Sequence, residues 1–174
     1  MGAIRKREGF KGQKAIVIPR KIVDACGSTE LVNTLFVTDI GFYPKAAFHY
    51  RKREKGVEQN ILIYCIEGSG WLEVPTGTYE VHPNEFLIIP MGIPHRYWAD
   101  EKNPWSIYWI HFKGTQSAHF TKLLTNQHKD FVKYSPFIEE RIKVFDSIYK
   151  ALESGYGIDN LIFASGTFGY LLNL

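Results

Sequence analysis

Six histidines, His49, His82, His95, His111, His119 and His128, are the first residues in this chain that could do chemistry. No two have the short spacing of a zinc pair on one helix or hairpin, and no Cys-x-x-Cys occurs. His95 and His111 could converge from adjacent strands, but no Asp or Glu stands at a matching inward position to complete a ligand set. We therefore expect neither a metal nor a cofactor. No Gly-x-Ser-x-Gly elbow marks a nucleophile, and Ser69 lies in a turn with no helix behind it. His95 with Tyr97 has the ingredients of general acid–base catalysis. Binding suits the residues better. Alternation over 47–55 puts His49, Arg51 and Arg53 on one strand face, with Phe48, Tyr50 and Lys52 on the other. Such a face is either a solvated charged surface or one whose arginine fork holds a sugar hydroxyl pair or a carboxylate. Trp109 offers a plate for a sugar ring or other flat ligand, and read alone it is equally a core aromatic. Arg53, His95 and Tyr97 add orienting hydrogen bonds. An apolar wall with few convergent polar groups is the usual make-up of a small-molecule pocket.

The elements that must position these residues run through 60–112. Short apolar segments at 61–66, 71–74, 79–82, 86–90 and 105–112 are punctuated by Gly68-Ser69-Gly70, Pro75-Thr76-Gly77, Pro83-Asn84-Glu85 and a loop from Pro90 to His95. Residues 15–18 and 34–42 add β-prone runs. Even spacing without a long intervening helix predicts an antiparallel barrel or jelly roll. In 105–112, Trp105, Ile107, Trp109 and His111 share one face, and Ser106, Tyr108, Ile110 and Phe112 the other. Both faces are apolar, so one should line the barrel lumen and the other should meet a helix.

From Gln116 the period changes, with Phe120, Leu123 and Leu124 on one helix face. Ser135-Pro136 has the chemistry of a helix start. After it, Ile138, Ile142, Phe145, Tyr149 and Leu152 form a narrow apolar seam, predicted to pack on the barrel or to pair two copies. Ile158, Leu161, Ile162, Phe168 and Leu172 continue at helical spacing beyond Gly155 and Gly157. The pattern is still apolar at Leu174, as in a domain with more sequence to follow.

A length of 174 residues implies one domain. Its 45% hydrophobic content suffices for one packed core. A net charge of +3 without a basic stripe gives no reason to expect nucleic acid on this chain. Cys26 and Cys65 make no disulfide framework, and Cys65 reads as a core residue. No run is apolar enough to span a bilayer, and no h-region follows the basic start. We expect a reducing, cytoplasmic setting without membrane contact. Residues 1–14, charged and glycine-containing, read as a mobile arm.

Three runs together carry a family resemblance: Ile63-Tyr64-Cys65-Ile66-Glu67-Gly68-Ser69-Gly70-Trp71; Pro83-Asn84-Glu85-Phe86-Leu87-Ile88-Ile89-Pro90-Met91-Gly92-Ile93-Pro94-His95-Arg96-Tyr97; and Pro104-Trp105-Ser106-Ile107-Tyr108-Trp109-Ile110-His111-Phe112. From about Thr34 onward the chain resembles the N-terminal cupin domain of AraC-type transcriptional regulators. The resemblance implies an arm and first strand over 1–33, a cupin barrel over 34–115 that binds a small effector, and a helical dimerisation segment over 116–174. It also implies that DNA is bound only by a helix-turn-helix domain absent from this chain. By the same resemblance, Arg53 falls where arabinose-responsive members place a sugar-binding arginine. Tyr97 and Trp109 fall on their hydrogen-bonding tyrosine and stacking tryptophan, and His95 on a pocket histidine. Ile107 stands where those members carry a sugar-bonding histidine. Metal-dependent cupins carry a His-x-His and a Glu before the first hairpin, where this chain has Arg51-Lys52-Arg53 through Asn60-Ile61. The expected function is effector sensing, with a sugar as the expected effector and the arm folding over it. The alternative is a stand-alone, metal-independent cupin enzyme, such as a sugar isomerase or epimerase using His95 and Tyr97.

Overall fold

The computed structural model describes residues 4–174, so the first three residues of the arm lie outside the described residues. In chain order come β1 (Lys14–Val17), α1 (Arg20–Ser28), β2 (Phe36–Tyr43), β3 (Tyr50–Arg53), β4 (Asn60–Glu67), β5 (Gly70–Val74) and β6 (Gly77–Val81). They are followed by β7 (Glu85–Ile89), β8 (His95–Ala99), β9 (Ser106–Lys113), α2 (Ser117–Leu124), β10 (Val132–Tyr134), α3 (Ile138–Glu153) and α4 (Ile158–Asn173). The strands form a six-stranded sheet, ordered β1-β2-β9-β4-β7-β10, and a four-stranded sheet, ordered β3-β8-β5-β6. All strand pairs are antiparallel. This is the antiparallel barrel with C-terminal helices that the patterning predicted, in the cupin form that the resemblance implied.

Alternation within β4 explains the layers. Ile61, Ile63 and Cys65 face the space between the sheets, where Leu72, Val74 and Tyr97 meet them from the smaller sheet. Leu62 and Tyr64 point the other way, onto a second core with Phe145, Ile148, Leu152 and Phe168 from α3 and α4. A strand covered on both faces must be apolar along its covered length, which is what β4 shows from Ile61 to Ile66. Cys65 belongs to the inner core, and burial pushes its thiol up to about 12. It is a packing residue, and both cysteines are free. No helix among the described residues is long and apolar enough to cross a membrane.

The seam of α3 meets its own barrel. Phe145 lies 5.0 Å from the Tyr108 ring, and Phe145 and Leu152 are both buried. Ile138 and Tyr149 pack at the margin of that core, and Ile142 is half-buried. Three local features differ from the sequence reading. The helix α1 seats Ile22, Val23 and Cys26 against Val32 and Phe36, in a stretch for which the sequence pattern predicted no helix. The short β10 pairs with β7 through Val132 and Leu87. The α3 helix starts at Ile138, after Phe137 in a left-handed conformation, and the Ser135 hydroxyl is buried without a partner and caps nothing.

Removing the Phe145 ring leaves a cavity that this two-faced sheet cannot close. Phe145→Ala should lower the unfolding free energy by about 3–5 kcal/mol in urea denaturation. Ile142→Ala, outside the packed core, should cost about 1 kcal/mol or less.

Candidate functional site

Between the two sheets the barrel encloses a lumen whose walls come from β3, β4, β8 and β9. Strand β3 presents Arg51 and Arg53 inward, opposite Tyr97 and His95 of β8 in the register. Ile107, Trp109 and His111 of β9 line the facing wall, as alternation predicted. Trp109 reaches its position because its register partner is Gly41. A Cβ at that residue would lie 2.5 Å from the indole ring and from the Lys14 carbonyl. Sequence reasoning missed this glycine, whose role is set by a partner far along the chain.

The polar groups are tied together in a definite order. Arg53 Nη1 donates to the Tyr97 hydroxyl at 3.2 Å and lies 3.5 Å from His95 Nε2. His95 Nδ1 is 2.7 Å from the Ile93 carbonyl, so the ring is held from both sides. His95 stacks parallel to Tyr97 at 5.9 Å, behind Arg53, and does not itself line the cavity. Burial, helped by the neighbouring Arg53 charge, pulls its pKa down to about 4 despite the bond to Ile93. His49 is only 2% exposed, and burial followed by the Arg51 and Arg53 charges takes it to about 3. The Trp105 indole N–H donates to His49 Nδ1 at 3.2 Å. Neutral His49 therefore carries its hydrogen on Nε2. That Nε2 and the Trp109 Nε1 are buried without partners among the described residues.

On the far wall, His111 Nδ1 is 3.5 Å from Asp39 Oδ2. Asp39 also accepts from Thr38 and Gln59, each at 2.7 Å. Burial opposes its charge, but the bonds from His111, Thr38 and Gln59 outweigh it and hold the carboxyl below the ordinary carboxylate range. Among the described residues no three His, Cys, Asp or Glu side chains converge as a metal-holding group.

The lumen is nearly filled, at about 30 Å³, room for about two waters. The arm packs against two of the residues that line it, Tyr43 and His49. Phe10 is 7% exposed and packs 5.0 Å from Tyr43 and 5.3 Å from His49, ring to ring. Lys6 bonds through its backbone to Phe48 and Tyr50 at 2.8 and 2.9 Å. Gln13 Oε1 accepts from the Gly9 and Phe10 amides at 2.7 and 2.9 Å. The arm, expected to be mobile, is thus anchored from Lys6 to Gln13. A lone phenylalanine in a charged segment carries no periodic signal that would have revealed this.

The barrel thus has a partly polar inner wall and helices packed behind it. The model of the AraC-like ligand binding domain matches residues 43–166, and the chain belongs to that family. The MmsAB operon regulatory protein of Pseudomonas aeruginosa is 28% identical over 159 residues, covering 89% of this chain and 51% of that protein. The chain thus spans about half the length of this relative. Among solved structures, the AraC-like transcriptional activator CuxR aligns over 84% of this chain and 54% of its own, at 13% identity and a TM-score of 0.49. A cupin superfamily protein of Desulfitobacterium hafniense aligns over 61% of this chain and 82% of its own, at 7% identity and a TM-score of 0.37.

The two desolvated histidines couple stability to acid. Each takes up a proton near 6.5 when unfolded, but only near 3 (His49) or 4 (His95) when folded. Stability is therefore full above pH 6.5 and is lost as pH falls toward 4, by about 1.4 kcal/mol per pH unit for each ring. Urea midpoints should drop between pH 7 and pH 5, and His95→Gln should remove about half of that slope. Gly41→Ala should displace the Trp109 indole, change its near-ultraviolet dichroism, and cost about 1–3 kcal/mol.

Proposed function

We propose that this chain is the effector-sensing domain of an AraC-type transcription regulator. A small polar molecule binds in the lumen, its flat or apolar side on Trp109 and its polar side toward Arg53 and Tyr97. The observation that carries this reading is the inner wall itself. Guanidinium, phenol and indole groups gather around the barrel axis inside a family defined by ligand binding. A hydroxylated molecule such as a sugar meets both needs, with a ring to stack and oxygens to bond. Phe10 packs on Tyr43 and His49 of the lumen wall, so an effector that fits better with the arm moved shifts the arm's equilibrium, and that shift is the signal. In the whole regulator, a DNA-binding helix-turn-helix domain outside these residues receives it, in the cytoplasm.

Pairing of two copies falls to the C-terminal helices. The seam residues Phe145 and Leu152 serve the chain's own core. The pairing surface is then the part of that seam left accessible, Ile138, Ile142 and Tyr149, together with the half-exposed Phe163 and Tyr170 of α4. In the enzyme reading, His95 would have to release its contacts at both ring nitrogens, to Arg53 and to the Ile93 carbonyl, before it could act as a base.

A thermal-shift screen over monosaccharides, disaccharides and sugar acids tests the site. A true effector at a hundred times its Kd adds about 2.7 kcal/mol, a rise in Tm of several degrees. That rise should vanish in Arg53→Ala and in Trp109→Ala, and hits undiminished in both would place the binding elsewhere. Light scattering should give a dimer that Ile142→Asp converts to monomer; a monomer at high concentration in the unaltered chain removes the pairing role.

A further inference from the structure

The lumen wall built by β3 is electrically one-sided. Arg51 and Arg53 face inward, while Lys52 between them faces out and pairs with Glu54. Among the described residues no ion pair within 4.0 Å involves either arginine; the cations that do form pairs are Arg20, Lys52, His82, Arg96 and His111. The acids that come near are otherwise placed. Asp39 stands behind His111 on the opposite wall and accepts from three side chains. Glu8 on the arm acts on the Tyr43 phenol from a distance and pairs with neither guanidinium.

Two more donors point the same way. His49 and Trp109 are 2% and 8% exposed, and both line the lumen. His49 Nε2 and Trp109 Nε1 have no partner, and with Nδ1 occupied by the Trp105 N–H the first of these can only donate. The lumen therefore offers two forks and two buried N–H groups, against few acceptors. A neutral sugar would answer this poorly, because each hydroxyl brings a hydrogen as well as lone pairs. An ionised carboxylate brings acceptors alone, with room for about four bonds and a bidentate match to an arginine. It also removes the cost of holding half-buried cations without a counter-charge.

We infer that the effector carries a carboxylate, seated between Arg51 and Arg53 with His49 and Trp109 donating to it: a short hydroxy acid or a sugar acid in place of a neutral sugar. This rests on the lumen being the effector site, as proposed above. The cavity of about 30 Å³ takes the carboxylate group itself, and the rest of the skeleton takes the volume now held by the Phe10 ring.

Calorimetric titration of the unaltered chain tests this with lactate, glycerate, gluconate and galacturonate, each beside its primary amide, and with arabinose, glucose and galactose. At least one acid should bind, and its amide should bind roughly tenfold or more weakly. Arg51→Gln and Arg53→Gln should each weaken the acid by a similar factor, while Lys52→Gln leaves it unchanged. The acid–amide comparison needs no variant, so misfolding of an arginine variant does not blunt the test. If neutral sugars bind and no acid does, or acid and amide bind alike, the carboxylate is refuted while the lumen remains the sensor site. If an acid binds with Arg51→Gln, Arg53→Gln and Trp109→Ala all without effect, the lumen reading falls and the carboxylate seat falls with it. If no compound of either kind binds, the carboxylate seat is likewise refuted.

Discussion

Two guanidinium groups facing inward from one short strand, with no carboxylate paired to them among the described residues, set the character of this barrel. Their charge and the surrounding burial hold His49 and His95 neutral. A neutral His95 can accept from Arg53 at Nε2 while its other nitrogen bonds Ile93, and a neutral His49 can accept from Trp105. Each ring is thereby fixed in one tautomer by its hydrogen-bond partners, Trp105 for His49 and Arg53 with Ile93 for His95. The outcome is an interior whose hydrogen-bonding capacity runs mostly one way, toward an acceptor the chain does not supply.

Such an arrangement needs a rigid container, and the two-faced sheet provides it. Strands β4 and β9 carry alternate residues into two separate cores, so neither strand can rotate or slip without emptying one of them. The helices α3 and α4 back the sheet and leave the lumen face free for binding. The arm is the softer part. It is held by a few backbone bonds and one aromatic ring, so its opening costs far less than opening the barrel. The arm meets the inner core through Phe10.

The inner wall was legible in the sequence because period two is unambiguous when a strand is flanked by clear turns. Alternation grouped Arg51 with Arg53, and Ile107 with Trp109 and His111, but it left open whether the arginine face met solvent or the lumen. The α3 seam was legible as a helix, but its spacing could not distinguish a barrel from a second copy as the surface it meets. His95 was placed in the pocket by resemblance; the register sets it opposite Arg53 on β3, with its Nε2 3.5 Å from the guanidinium. The missed features share a cause. Phe10, Gly41 and the three-residue β10 have roles fixed by partners distant in sequence, and nothing in their own neighbourhoods announces them. The α1 helix was hidden by its polar composition, since only Ile22, Val23 and Cys26 mark its buried side.

The most direct test follows the four tryptophan indole N–H signals by NMR, assigned with Trp109→Phe, during titration with the tightest-binding acid. The account predicts that the Trp109 signal shifts strongly as its buried N–H gains an acceptor, while Trp71 and Trp98, stacked on each other in the smaller sheet away from the lumen wall, stay in place. Movement of the Trp71 and Trp98 signals with Trp109 unmoved would contradict it.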